Sequence, residues 1–296
     1  MNCDSCGQPL PVQRDGMRPP RDTSLPFFAY GVFRPGELAF LQIKEFVQNC
    51  CESKTPGKLR VRDGLPIAAL ESYGEIDGTL IYFRPECGSS AYQRIADLEP
   101  EKQYRWEERL EDGQKFNLLA GISPDKGSQY MEGRWDGRND PLFTSALEVI
   151  KDSLDQNRKA AFDLKPLFRL EMAYLLLWTS IERYASLRYH LRERATKKVW
   201  NIASEPAFKD ALRRYVETSR TVQRADETTK KCTLDPTNPI GAMAYFYQVR
   251  SNLVHRGKGA FSDHERLMNS LEELLAIFRA TLSAAFDESQ WPVEEP

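Results

Sequence analysis

Arg250 and His255 are the two residues whose types and spacing best fit a chemical reaction. They stand five positions apart near the end of a predicted helix, so at about 100° per residue they occupy neighbouring faces of its last turns. A histidine can move the proton of a ribose 2′-hydroxyl, and a guanidinium can stabilise the charge that grows on the adjacent phosphate. Cleavage of an RNA strand through its own 2′-hydroxyl needs little more than such a pair and requires no metal ion or other cofactor.

The surroundings of this pair are compatible with a nucleic-acid partner. Residues 183–231 hold thirteen Lys and Arg against six Asp and Glu, a local excess of +7, which predicts a basic face. A solvated helical face would give the same excess. Three aromatic residues, Tyr245, Phe246 and Tyr247, could stack on single-stranded RNA. Because consecutive helical positions cannot share a face, at least one of them is expected in the core.

The segment from Gln248 to Gly257 resembles the Arg-x4–6-His signature of the HEPN (higher eukaryotes and prokaryotes nucleotide-binding) superfamily. Residues 178–182 are similar to that superfamily's apolar helix with an acidic residue. The resemblance implies an all-α bundle that forms a homodimer with a composite RNA-cleaving cleft. It also implies a toxin or phage-defence effector, because such a nuclease needs control.

Site residues follow from this resemblance. It implies that Arg250 and His255 are catalytic and that Asn252 orients or contacts the phosphate. Ser251 and Arg256 would complete the substrate contacts. The alternative for His255 is a histidine that caps the helix by bonding a terminal carbonyl.

The first half carries a second set of motifs. Phe28–Gly36 resembles the opening of the gamma-glutamylcyclotransferase-like (AIG2-like) family. Three later segments, 63–66, 74–80 and 95–105, resemble that family's further motifs in the same order. The resemblance implies a small mixed β-barrel with a pocket for a small-molecule ligand.

This second resemblance also implies site residues. Backbone amides of Tyr30, Gly31, Val32 and Phe33 would hold a carboxylate in an anion-binding nest. Glu99 would be the general acid and base that moves a proton while a lactam forms. The alternative for Glu99 is a solvated carboxylate in a strongly charged stretch.

The predicted fold class is α+β, with the small barrel followed by the helical bundle. We expect a polar tail at 1–23, the barrel domain at 24–140 and the bundle at 141–296. Periodicity in the first half predicts strands at 26–32, 76–83 and 104–110 and helices at 38–48 and 90–98. In the second half it predicts helices near 143–160, 166–198, 205–219, 238–256 and 263–287.

Composition bounds the remaining possibilities. The formal net charge is −2, no apolar run reaches the ~20 residues that cross a bilayer, and the polar N-terminus does not read as a signal peptide. We therefore expect a cytoplasmic protein without a membrane partner. Cys3 and Cys6 form one CxxC pair, whereas a structural zinc site usually needs a second, so no metal site is predicted.

Three functions stay open from the sequence. The first is a metal-independent endoribonuclease whose barrel senses a small molecule or a regulatory protein. The second is a cyclotransferase that acts at Glu99 and uses the bundle to dimerise. The third is a non-catalytic protein that binds nucleotides or a partner.

Overall fold

The computed structural model describes residues 17–99, 101–159, 164–189, 195–224, 229–256 and 261–294, and at residues 195–197, 255–256 and 261–263 it describes the backbone alone. The chain has the predicted α+β character, with most strands in its first half and most helices in its second. No helix in the described ranges has the length and apolar content needed to cross a bilayer. The CxxC pair, Cys3 and Cys6, lies outside the described residues.

Eight strands and one α-helix form the described part of the first half. In chain order they are β1 (Phe27–Ala29), β2 (Val47–Pro56), β3 (Lys58–Arg62), β4 (Leu65–Ala69), β5 (Glu75–Phe83), α1 (Gly88–Leu98), β6 (Tyr104–Glu111), β7 (Gln114–Gly121) and β8 (Gln129–Tyr130). Five strands make one sheet in the order β2-β5-β1-β7-β6, in which only β1 and β7 are parallel, and three make another in the order β4-β3-β8. These eight strands thus form two open sheets, and the expectation of a β-barrel is wrong.

Two Asp-Gly pairs set the hairpins of these sheets. Asp63 and Gly64 join β3 to β4, and Asp112 and Gly113 join β6 to β7. All four residues have positive φ, between 49° and 81°, as the two-residue turns that suit twisted strands require. The sequence does not predict the strands β4 and β7 that follow the two turns.

The predicted helix at 38–48 is partly wrong. Two short 3-10 helices occupy Leu38–Gln42 and Lys44–Phe46, and β2 begins at Val47. Leu38 is buried in the core of the second half, while Phe40 and Ile43 are buried in the core of the first. The apolar residues of this segment therefore serve two cores, and a single helical stripe was the wrong interpretation.

Six α-helices and one pair of antiparallel strands are present among the described residues of the second half. They are α2 (Ser145–Gln156), α3 (Lys165–Arg188), α4 (Ala195–Ile202), α5 (Pro206–Tyr215), β9 (Arg220–Gln223), β10 (Lys231–Leu234), α6 (Pro239–Arg256) and α7 (Phe261–Glu288). The helices α2, α5, α6 and α7 confirm four predicted segments. The long helix predicted at 166–198 is instead two helices, since α3 ends at Arg188. The paired strands β9 and β10 contradict an all-α second half.

The two halves contact each other at the end of α3 and again after α7. The Gln42 side-chain amide donates to the carbonyl of Arg188 at the end of α3. After α7 the chain returns to the first half, where the Trp291 ring packs edge-on against Phe40 at 6.2 Å. Glu294 then pairs with the β2 edge: its N–H donates to the Cys50 carbonyl at 2.8 Å, and its carbonyl accepts from Glu52 N–H at 3.0 Å.

Candidate functional site

A pocket lies where β1 ends, between the first half and α3. Its volume is about 50 Å³. Most of its wall is apolar, and the remaining groups come from separate parts of the chain. The lining residues are Phe27, Ala29, Tyr30, Gly31, Val32, Phe33, Ala39, Leu65, Pro66, Leu98, Glu99, Tyr104, Leu119, Ser186 and Leu187. All five residues that the sequence predicted for this half, the Tyr30–Phe33 loop and Glu99, therefore line one pocket.

The loop after β1 is held in place from both sides. The Tyr30 hydroxyl donates to the Leu119 carbonyl at 2.6 Å, and Arg34 N–H donates to the Gly31 carbonyl at 2.9 Å, which closes a turn. Among the residues described, the amides of Gly31, Val32 and Phe33 have no hydrogen-bond acceptor. Three consecutive amides of this kind are the donors that an anion nest requires.

Gly31 is required here by a close approach. A Cβ atom at this position would lie 2.4 Å from Cγ of Pro66, well inside the contact distance of two carbon atoms. The ring of Pro66 lies in β4, the strand that covers this side of the pocket. Even the smallest side chain at Gly31 would therefore push the loop and β4 apart.

Glu99 lies directly after α1, and its N–H donates to the Ile95 carbonyl at 3.1 Å. Its side chain is buried at 8% exposure. Burial raises the pKa of the Tyr30 and Tyr104 hydroxyls, and the nearby charge of Glu99 raises both further. These phenols stay protonated at neutral pH and donate to backbone carbonyls, Tyr104 to that of Pro66 at 3.2 Å. Of the described lining residues, Glu99 alone carries a carboxylate.

The helical half supplies the last wall of the pocket. Ser186 and Leu187 of α3 line it opposite the first half, and the sequence analysis did not anticipate either residue. No motif or period marks them, because their role depends on how the two halves pack. The solvated alternative for Glu99 is wrong, because the residue is only 8% exposed.

The second predicted site lies on α6. Arg250 is half-buried, and its Nη2 atom is 3.2 Å from Oε1 of Glu182 on α3. Its guanidinium carbon lies 5.6 Å from the centre of the Tyr247 ring. The Nε atom of Arg250 is buried without a hydrogen-bond partner in the described structure. Glu182 belongs to the segment at 178–182, so these two motifs meet in space.

The neighbours of Arg250 on α6 differ in their contacts. The Asn252 side-chain amide donates to the Gln223 carbonyl at 2.9 Å and accepts from Gln248 Nε2 at 2.8 Å. Asn252 therefore ties α6 to the end of β9. Ser251 is half-buried. The backbone of His255 and Arg256 forms the last turn of α6, and their side chains lie outside the described structure.

The aromatic run beside Arg250 belongs mostly to the core. Tyr245 and Phe246 are fully buried, and only Tyr247 is partly exposed. Its ring packs edge-on against Trp178 at 5.6 Å, beneath Arg250. The prediction that the three could not all face a ligand is confirmed, and one aromatic ring remains at this site.

The described residues contain no group of three or more His, Cys, Asp or Glu side chains that could hold a metal ion. The cysteines in these ranges, Cys50, Cys51, Cys87 and Cys232, are free thiols. Burial raises the pKa of the Cys50 thiol to about 12, which keeps it protonated and unreactive.

Comparison with known proteins adds little to this geometry. No family model matches the chain, and no curated protein matches it. Among solved structures, the uncharacterized protein PH0828 from Pyrococcus horikoshii is similar at 18% identity and a TM-score of 0.29. That likeness covers 47% of this chain and 100% of PH0828.

Proposed function

We propose that the first half binds a small molecule with a carboxylate and that Glu99 moves a proton on it, in a reaction of the gamma-glutamyl cyclotransferase type. One observation carries this proposal. The Tyr30–Phe33 loop and Glu99 are far apart in sequence and line the same pocket. The resemblance of the four motifs to the gamma-glutamylcyclotransferase-like family implies that this loop and this carboxylate lie in one pocket.

The chemistry follows from the groups in the pocket. Unpaired amides of residues 31–33 hold the substrate carboxylate. Glu99 takes a proton from the substrate's α-amine as its nitrogen attacks the γ-carbonyl. The same proton then passes to the amine that leaves, so a five-membered lactam and a free amine form without water. The apolar walls keep competing water away from the reacting carbonyl.

A pair of charge-removing variants tests this proposal. The intact protein is incubated with γ-glutamylalanine, and 5-oxoproline is measured with the wild type, Glu99→Gln and Glu101→Gln. Glu101 is an exposed carboxylate two positions away, so its variant is the matched control. We expect release by the wild type and by Glu101→Gln, and at least a hundredfold less by Glu99→Gln, as for loss of a general base. Equal release by Glu99→Gln would refute the catalytic role.

The same pocket could serve as a sensor without turnover. In that case the wild type binds 5-oxoproline in calorimetry but releases none from γ-glutamylalanine. The Glu99→Gln variant would then change affinity alone. This outcome would keep the ligand site and remove the cyclotransferase reaction.

A second candidate function belongs to the helical half. We infer a metal-independent endoribonuclease of the HEPN type that acts as a homodimer on RNA. The observation that favours it is the placement of Arg250, which α6 holds partly exposed beside Glu182 and shortly before His255. In a cell this activity would suit a toxin or phage-defence effector in the cytoplasm, with the pocket as its sensor.

Cleavage of a mixed RNA pool in EDTA tests the second candidate. We expect 2′,3′-cyclic phosphate ends with the wild type and with Arg213→Ala, an exposed arginine on α5, and no product with Arg250→Ala or His255→Ala. Equal cleavage by all four proteins would refute it. If neither variant changes any activity while a dimer persists in sedimentation, the non-catalytic interpretation holds.

A further inference from the structure

Ser186 is the polar group that the helical half contributes to the pocket. We propose that Ser186 donates a hydrogen bond to the bound ligand, so that the binding site is shared by both halves of the chain. The inference rests on the proposed ligand pocket and names a residue that sets its specificity. The ligand it predicts is a small acid with a second hydrogen-bond acceptor, such as a lactam carbonyl.

The hydroxyl of Ser186 is oriented by a buried lysine. Lys198 on α4 is 5% exposed, and its Nζ donates to Ser186 Oγ at 3.2 Å. An ammonium group can only donate, so the Ser186 oxygen accepts this bond and its own proton must point elsewhere. Lys198 is therefore a positioning residue, which polarises the hydroxyl and makes it a better donor.

Ser186 differs from the other hydroxyl residues of α3. Thr179 and Ser180 donate to the carbonyls four residues earlier, at 3.2 and 3.4 Å, as helical serines and threonines commonly do. Within the described part of the chain, the Ser186 hydroxyl has no acceptor for its proton. A ligand in the pocket is the acceptor that this geometry leaves open.

The backbone around Ser186 is held on both sides. The Tyr184 hydroxyl donates to Oε2 of Glu205 at 2.7 Å, and Arg188 Nε lies 3.5 Å from Oε1 of the same carboxylate. Both residues are buried. Because Ser186 lies between these two anchors, its backbone position in the pocket wall is held in place.

The other polar groups define the ligand class. The amides of residues 31–33 can hold a carboxylate, and Ser186 adds a donor from the opposite half. Tyr30 and Tyr104 already donate to backbone carbonyls. A ligand that satisfies the free donors therefore needs two separate acceptors, and the volume of about 50 Å³ keeps it small.

Two ring acids that differ in the second acceptor test this inference. Both 5-oxoproline and cyclopentanecarboxylate carry a carboxylate on a five-membered ring, but only the first has a lactam carbonyl. Calorimetry gives the Kd of each for the wild type, Ser186→Ala, Lys198→Met and the control Ser283→Ala, an exposed serine on α7. The decisive quantity is the ratio of the two Kd values, which a general loss of stability would not change.

We expect the wild type and Ser283→Ala to prefer 5-oxoproline. Ser186→Ala should weaken 5-oxoproline binding about tenfold or more, as for loss of one hydrogen bond to a buried acceptor, and leave cyclopentanecarboxylate unchanged. Lys198→Met should reduce the preference for 5-oxoproline over cyclopentanecarboxylate by a smaller factor. If Ser186→Ala weakens both acids equally or neither, the role of Ser186 is refuted while the pocket stands. If the wild type binds neither acid, the proposed pocket fails and this inference falls with it.

Discussion

At the scale of single residues, one absent side chain shapes the pocket. Gly31 can follow β1 only because it leaves room for the ring of Pro66. The contact also joins the loop to β4, whose buried residues Ile67 and Ala68 belong to two different core clusters of the first half. A change at Gly31 is therefore expected to alter both ligand binding and stability.

We predict that Gly31→Ala lowers the free energy of unfolding by about 1–3 kcal/mol, as overpacking does, and weakens binding of 5-oxoproline. Pro66→Ala removes the opposing atom, so the double variant should recover part of both losses. Urea unfolding of the two single variants and the double variant measures this coupling. Strict additivity of the two changes would contradict a direct contact.

Glu37 is a second residue of this kind, because its buried side chain makes the stability of the whole protein depend on pH. Its buried carboxylate accepts from Gly137 N–H at 3.1 Å. Burial raises the pKa of Glu37 from 4.5 to about 8, although the bond from Gly137 lowers it. Between these two pH values the folded chain holds the proton more tightly than the unfolded chain does. The stability that this proton gives is complete below pH 4.5 and is lost as pH rises toward 8.

The neutral variant Glu37→Gln should remove this titration and keep a carbonyl acceptor for Gly137. We expect the wild type to lose stability relative to Glu37→Gln between pH 5 and 8, with a slope of up to about 1.4 kcal/mol per pH unit. Urea unfolding at several pH values measures the difference. A constant difference across this range would show that Glu37 titrates normally.

At the scale of elements, Arg188 joins the end of α3 to two other helices. Its buried partner is Glu205, directly before α5, which also accepts bonds from the Tyr184 and Tyr189 hydroxyls. Its exposed partner is Glu288 at the end of α7, 2.8 Å from Nη2. The Glu288 side chain is 60% exposed and that of Glu205 is 7% exposed. Both carboxylates therefore contact the Arg188 guanidinium, Glu205 in the buried interior and Glu288 at the surface.

This arrangement predicts unequal effects of two similar substitutions. Glu205→Ala removes the buried carboxylate that Arg188 Nε and the Tyr184 and Tyr189 hydroxyls contact, and it should cost about 3–5 kcal/mol. Glu288→Ala breaks an ion pair that water already screens and should cost less than about 1 kcal/mol. Chemical unfolding of both variants compares them directly. Equal losses would mean that Glu205 does not anchor α3 and α5.

At the scale of the whole molecule, the segment after α7 packs against the first half and so holds the two halves together. The segment after α7 covers part of β2, which is an edge strand of the five-stranded sheet. Trp291 holds it through Phe40, and Lys44 Nζ lies 5.9 Å from the centre of the Trp291 ring. An uncovered strand edge offers unpaired backbone groups to other chains.

Removal of residues 291–296 should therefore lower stability and promote self-association beyond that of the intact chain. Glu294→Ala is the matched control, because the pairing with β2 uses backbone groups that this substitution keeps. Analytical ultracentrifugation of the three proteins at equal concentrations measures the effect. Identical sedimentation of the truncated and intact chains would show that this edge does not drive association.

Part of this structure could be predicted from local sequence pattern and from the order of the motifs. Apolar periodicity predicted α2, α5, α6 and α7, because an amphipathic helix repeats its buried face within a few residues of the chain. Motif order selected the Tyr30–Phe33 loop and Glu99, which the structure brings into one pocket.

Tertiary packing decided the rest. The 3-10 helices at 38–46 arise where side chains of one segment enter different cores, which no local period records. Ser186 reaches the pocket only because α3 lies against the first half, and its hydroxyl is oriented by Lys198, twelve residues away on another helix. The sequence by itself selected the Tyr30–Phe33 loop and Glu99 as site residues. Only the folded chain decided that residues of both halves line their pocket, because that contact depends on packing between distant segments.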